Sequence, residues 1–189
     1  MSNVLNWLEL VRVLQRRLEG SSRAVQFRAF ASFLLDVPYV WGSENPDGTD
    51  CSGTVCFPLW LMGWNIRVTA DVLYRHLFTE RVANGEDMSR LMAVFYLTRE
   101  ARHHVDREVP AGTAIHVTPV VGHNVVLNAG TTVQLWTARA IREEREAKGC
   151  MAEWREINWE AAKRMSDSLA FAWDVDPILK LLRGMGGAA

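Results

Sequence analysis

The hydrophobic pattern of the chain changes period near residue 90. Between residues 4 and 18, apolar side chains recur every three or four positions, which is typical of an amphipathic helix. The apolar runs 91–97, 113–121, 124–129 and 131–136 are instead short and are separated by turn residues, so they predict antiparallel strands. Helical patterns return after residue 136. Helices, then strands, then helices predict an α+β fold.

The length of 189 residues fits one domain, 1–189, and the apolar fraction of 49% excludes a disordered chain. An N-terminal helix is expected over 1–20, a helical C-terminal extension over 137–182, and a frayed tail over 183–189. The 21 basic and 22 acidic residues nearly cancel, which argues against a nucleic-acid-binding protein. No apolar run approaches the roughly 18 residues of a membrane span.

The first helix does not have the pattern of an export signal. Glu9 and Arg12 interrupt the uninterrupted apolar region that a signal peptide needs. Synthesis in the cytoplasm is therefore expected. A target outside the cell would require delivery by something other than the general secretion route.

Three residues stand where helix caps belong. Ser22 precedes a helical pattern that reaches about residue 35, and Thr69 precedes a short one that ends near residue 78. Asp50 follows a turn-rich loop and precedes a third helix, closed by Gly63 and expected to kink or end early at Pro58.

Cys51 lies in the first turn of that third helix. Unpaired backbone N–H groups at a helix start favour a thiolate and can stabilise an oxyanion. The small residues Ser52 and Gly53 would let a substrate backbone approach the sulfur. The alternative is that Cys51 is only a small hydrophobic side chain in the core. That interpretation fits Cys56 better. The cysteine spacing does not suit structural zinc.

A thiol nucleophile needs a base, and His116 is the candidate because it interrupts a predicted strand and is held rigidly there. Twelve residues later, Asn128 interrupts the next strand, so antiparallel pairing would bring the two side chains together. Asn128 would then fix the imidazole tautomer. The alternative is a pair of polar residues that satisfy each other at a strand edge. The other histidines are His76, His103, His104 and His123.

These elements together resemble the NlpC-type cell-wall cysteine peptidases. The segments Pro-Tyr-Val-Trp-Gly-Ser at 38–43 and Asp-Cys-Ser-Gly at 50–53 match the family's nucleophile motif. The pair His-Val at 116–117 and Val-Leu-Asn-Ala at 126–129 is similar to its histidine strands, and Arg-Val-Thr-Ala at 67–70 to its arginine motif. The match covers about 30–136. The segment 98–112 is longer and more polar than the family core.

The resemblance implies a papain-like fold in which Cys51 is the nucleophile, His116 the base and Asn128 the residue that orients it. It implies hydrolysis of an amide bond in the peptidoglycan stem peptide, between γ-D-glutamyl and a diamino acid, with no metal or cofactor. The substrate-binding residues that it implies are Tyr39, Trp41, Asp50, Ser52 and Gly53. An acidic group in such a cleft can receive a free amino terminus.

Other functions are compatible with the same motifs. An N-acetylmuramoyl amidase or an acyltransferase would use the same thiol, and a non-catalytic wall-binding or phage structural module would keep only the fold. The expected partner is peptidoglycan or a muropeptide. Delivery by a phage tail or a secretion system would bring the protein to the wall or periplasm.

Overall fold

The computed structural model describes residues 2–83 and 87–168. Its helical segments are α1 Ser2–Arg17, α2 Arg23–Ala31 with a 3-10 turn Ser32–Leu34, α3 Gly53–Leu61, α4 Ala70–Val72 continuing as a π-helical turn Leu73–Leu77, α5 Ala138–Ala147 and α6 Trp159–Ser168. Its strands are β1 Glu44–Asn45, β2 Gly48–Thr49, β3 Glu80–Arg81, β4 Met92–Thr98, β5 Arg102–His104, β6 Arg107–Val109, β7 Ala114–Gly122, β8 Val125–Ala129, β9 Val133–Thr137 and β10 Cys150–Glu156.

Six strands form one antiparallel sheet in the order β3-β10-β4-β7-β8-β9. The expected α+β class is confirmed. The meander expected from the runs after residue 112 is also confirmed, because β7, β8 and β9 are consecutive neighbours in the sheet. The meander positions the two polar strand residues of the candidate site, which lie on β7 and β8.

Strand β4 contributes to a core on each face of the sheet because successive side chains point to opposite sides. Phe95 and Leu97 pack in the larger core, which also contains buried residues of α2 and α3. Val94 and Tyr96 pack in the smaller core, with Ile141 of α5. Helix α3, which follows the candidate nucleophile, therefore packs on one face of the sheet, and α5 covers the other.

Strand β10 corrects the expectation of a wholly helical extension over 137–182. Helices α5 and α6 agree with it, but Cys150–Glu156 is a strand that lies between β3 and β4. Its Met, Ala, Glu and Arg residues favour helix locally, and pairing along the whole of β4 overrides that preference. Residues 169–189, including the expected frayed tail 183–189, lie outside the described residues.

The expected caps at Ser22 and Thr69 are confirmed. Ser22 Oγ accepts the N–H of Val25 at 3.3 Å, and Thr69 Oγ1 accepts the N–H of Val72 at 3.4 Å. Helix α3 differs from expectation in one respect, since Pro58 lies inside it and the helix continues to Leu61.

The long polar segment 98–112 contains a separate hairpin of β5 and β6, with three residues in each strand. This hairpin is not part of the six-stranded sheet. Among the described residues, no helix is both long enough and apolar enough to cross a bilayer.

Truncation tests the place of β10. A chain that ends at Gly149 should fail to unfold cooperatively, because β4 is fully buried and loses its neighbour on one side. A chain that ends at Ile157 keeps β10. It should still unfold cooperatively, at a lower temperature than the full chain. Circular dichroism during heating measures both. Cooperative unfolding of the shorter chain at the temperature of the longer one would contradict this arrangement.

Candidate active site

Cys51 lies in the turn that leads into α3, two residues before Gly53, the first residue of the helix. Its side chain is a free thiol and is 7% exposed. Thr54 Oγ1 donates to the Cys51 carbonyl at 2.7 Å and fixes the turn. Among the hydrogen bonds of the described residues, none uses the backbone N–H of Cys51, which leaves that donor for a developing oxyanion.

The carboxylate of Asp50 holds this turn in place. Its Oδ1 accepts the Ser52 hydroxyl at 2.8 Å and the Gly53 N–H at 2.7 Å, so Asp50 is the functional cap of α3. Its Oδ2 accepts the Gly42 N–H at 2.9 Å and the Arg67 guanidinium at 3.3 Å. Four donors occupy the acceptor positions of one carboxylate. Asp50 lines the cleft, but an incoming substrate amine would have to displace one of these donors.

Arg67 connects this cap to the strand β1. Its Nε donates to Glu44 at 2.6 Å and its Nη1 to the Ser52 hydroxyl at 3.1 Å. Arg67 therefore binds two carboxylates and a hydroxyl around the turn that carries Cys51. The sequence motif at 67–70 marked Arg67 only as part of a resemblance, and this structural role was not predicted.

Gly53 has a packing role that the sequence did not predict, and its expected contact with substrate stays a prediction. A Cβ on this residue would lie 2.5 Å from the Ser43 carbonyl oxygen and closer still to Thr49 Oγ1. Gly53 is fully enclosed behind the cleft, whereas Cys51 and Ser52 line the cleft. Its small size lets the loop 43–49 pack against the start of α3.

His116 and Asn128 face each other across β7 and β8. His116 Nε2 lies 2.9 Å from Asn128 Oδ1, and both side chains are 5% exposed. Because an amide oxygen only accepts, Nε2 carries the proton and Nδ1 has a free lone pair. The predicted pairing of these two residues is confirmed. The ring of Tyr96 packs beside the imidazole, at 5.7 Å between centroids.

The thiol of Cys51 lies next to strand β7. Its sulfur accepts the backbone N–H of Val117, the residue directly after His116, and this contact lowers the pKa of the thiol. The thiol is therefore next to the β7 residue that follows His116, and β8 supplies Asn128. The three residues expected at the catalytic site come from the turn before α3, from β7 and from β8.

Burial dominates the electrostatics of this group. Desolvation, followed by the Asp50 carboxylate, raises the pKa of Cys51 to about 11. Desolvation, followed by the positive charge of Arg145, lowers the pKa of His116 to about 3 against the opposing hydrogen bond to Asn128. Both shifts favour the uncharged forms, a thiol and an imidazole. Desolvation at Cys51 therefore opposes the thiolate that the helix start favours.

A cleft of about 160 Å³ opens above Cys51. Trp41, 60% exposed, stands at its edge, and Asp50 and Ser52 line it near the sulfur. Tyr39 is half-buried beside Cys51. Burial and then the charges of Cys51 and Asp50 raise the pKa of Tyr39 to about 12, so its phenol stays protonated.

The hairpin β5–β6 contributes cleft residues that were not predicted. His104, Arg107 and Val109 line the side of the cleft away from α3. The sequence indicated only that the segment 98–112 is longer and more polar than the family core. Its position over Cys51 follows from tertiary packing.

No family model matches the sequence, and no curated protein matches it. Several solved structures are similar to the chain, including the following two. NlpC2 from Trichomonas vaginalis has a TM-score of 0.51 and 19% identity, over 71% of this chain and 46% of that one. A protein similar to lipoproteins of the NLP/P60 family, from Staphylococcus aureus, has a TM-score of 0.51 and 15% identity, over 69% of this chain and 40% of that one.

These similarities concern the fold. The chain has the papain-like fold of NlpC/P60 proteins, as its motifs predicted. It spans less than half the length of the two solved chains.

Gly53→Ala should destabilise the protein because the new Cβ meets backbone and a buried hydroxyl that cannot both move. The expected loss in the free energy of unfolding is about 1–3 kcal/mol. Gly130→Ala is the matched control, since its Cβ would meet only ordinary contacts near 4 Å. Denaturant unfolding compares the variants. Equal stability of the two would contradict the packing role of Gly53.

His116 should make the protein less stable in acid. The unfolded histidine binds a proton near pH 6.5, whereas the folded one binds it only near pH 3, so unfolding takes up a proton between these values. Stability should fall as the pH falls through this window, by up to about 1.4 kcal/mol per pH unit. The variant His116→Gln should lack this component in denaturant titrations at pH 7, 6 and 5. A wild type that gains stability over the variant in acid would instead indicate an imidazolium paired with a thiolate.

Proposed function

We propose that the protein is a cysteine peptidase that hydrolyses an amide bond in the stem peptide of peptidoglycan. The observation that carries the proposal is the buried His116–Asn128 pair on the strands β7 and β8, with the thiol of Cys51 held next to the following β7 residue, Val117. A thiol, an imidazole with a free Nδ1 and a polar residue that fixes its tautomer are the components of thiol-mediated acyl transfer.

In the first half of the reaction, Cys51 Sγ attacks the carbonyl carbon of the scissile amide. His116 Nδ1 takes the thiol proton as the C–S bond forms, which suits a pair in which burial favours the uncharged forms. The backbone N–H of Cys51 is oriented by the α3 turn and stabilises the oxyanion. The imidazolium then protonates the leaving amine as the C–N bond breaks, and a thioester on Cys51 remains.

In the second half, water attacks the thioester carbonyl and gives a proton to His116. The C–S bond breaks, the carboxylic acid product leaves, and the proton returns from His116 to the Cys51 sulfur. Asn128 accepts a hydrogen bond from Nε2 throughout both halves. The ring therefore remains in one orientation while Nδ1 gains and loses its proton.

The substrate is inferred from the motif resemblance. The segments at 38–43 and 50–53 are similar to those of NlpC-type peptidases, which favours the bond between γ-D-glutamyl and the diamino acid of the stem peptide. The edge of the cleft at Trp41 and the phenol of Tyr39 are suited to contact peptide on either side of that bond. We assign the biological setting to delivery at the cell wall by a phage tail or a secretion system.

Cys51→Ala should abolish hydrolysis of purified peptidoglycan and leave the melting temperature within a few degrees of the wild type. Cys56→Ala is the matched control, because Cys56 is fully buried in α3 and its sulfur contacts the Val68 carbonyl at 3.7 Å, away from the cleft. Mass spectrometry of the products identifies the bond. A new amino group on the diamino acid supports the proposal, and a freed lactyl group would make the protein an amidase. Full activity of Cys51→Ala would contradict thiol catalysis.

A further inference from the structure

The hairpin β5–β6 forms a fixed wall of the cleft. Strands of three residues are not stable as an isolated hairpin, so the surrounding contacts must hold it. At its base, the carbonyl of Pro110 accepts the hydroxyls of Thr98 and Thr113, each at 2.8 Å. On its outer side, Arg102 donates to the Lys148 carbonyl at 2.7 Å.

The tip of the hairpin is also held. His104 contacts the ring of Trp41 across the cleft edge, at 6.3 Å between centroids. The turn residue Val105 has φ of 58°, a left-handed conformation that a β-branched residue adopts only at a cost in energy. The local sequence therefore does not favour this turn. The contacts that anchor the hairpin stabilise it over the cleft, which is what a binding wall requires.

The described charged residues that line the cleft differ in whether they have a charge partner. Asp50 is neutralised by Arg67, and Asp71 is bound by Arg75 at 2.8 Å and by the Ala114 N–H at 2.9 Å. Arg107 pairs with His104 through the backbone of the hairpin, but its guanidinium has no hydrogen bond or ion pair among the described residues, although Arg107 lines the same cleft. It is the charged lining residue without a counter-ion in the part of the chain that the structure describes.

We propose that Arg107 binds a carboxylate of the substrate peptide, so that the cleft selects peptides in which this carboxylate is free over peptides in which it is amidated. This inference rests on the proposed function for the identity of the peptide. A planar guanidinium on a fixed strand suits bidentate recognition of a carboxylate, and a neutral amide offers no charge to it. The stem peptide carries two candidates, the α-carboxylate of the D-glutamyl residue and the free carboxylate of the diamino acid.

Binding to the Cys51→Ala protein tests the inference without hydrolysis. Three synthetic stem peptides are titrated by calorimetry: one with both carboxylates free, one amidated on D-glutamate and one amidated on the diamino acid. One of the two amidations should weaken binding by roughly 10- to 100-fold, and it identifies the carboxylate. When Arg107→Gln is added to the Cys51→Ala protein, binding of the peptide with both carboxylates free should weaken to the level of that amidated peptide.

Arg102→Gln is the matched control on the same hairpin, because Arg102 points to the Lys148 carbonyl and is not among the cleft residues. It should preserve the discrimination. Equal dissociation constants for the three peptides, an unchanged ratio in the Arg107→Gln protein, or no binding of any peptide would overturn the inference. Hydrolysis by the protein with Cys51 intact is measured separately. Cleavage without discrimination refutes the role of Arg107 alone, and discrimination without cleavage refutes the peptidase alone.

Discussion

The carboxylate of Asp50 is the contact on which the candidate site depends. Through its two oxygens it receives the Gly42 N–H, the Ser52 hydroxyl, the Gly53 N–H and the guanidinium of Arg67. These bonds join the loop before the nucleophile, the first turn of α3 and the segment after α3. Cys51 lies between the bonded residues, so its position is fixed from both sides. The same saturation gives Asp50 a structural role, and the substrate contact that the resemblance implied for it stays a prediction.

The second constraint is the register of β7 and β8. It places His116 Nε2 against Asn128 Oδ1 in a site where each side chain is 5% exposed. Burial disfavours charge on both the thiol and the imidazole, which raises the pKa of Cys51 and lowers the pKa of His116. A peptide bound in the cleft would change the desolvation of both groups. The pKa values of Cys51 and His116 would therefore change when substrate binds.

The cleft combines a common fold with a local addition. The sheet and α3 supply the thiol, the imidazole and its partner, whereas the hairpin β5–β6 supplies the opposite wall and Arg107. The two parts differ in how they are stabilised. The sheet strands pair along their lengths, but the hairpin relies on a few contacts at its base, on its outer side and at its tip. The proposed chemistry and the proposed selectivity can therefore be tested by separate substitutions.

The sequence by itself determined the α+β class, the caps at Ser22 and Thr69, and the pairing of His116 with Asn128, because periodicity, cap chemistry and a short meander are local properties. It did not determine β10, whose residues favour helix and become a strand only beside β4. It did not determine that Gly53 packs against Ser43 and Thr49, where a larger residue would not fit. The protonation of Cys51 and His116 and the placement of Arg107 in the cleft were decided by the tertiary structure, because burial and contacts between distant segments are set only when the chain has folded.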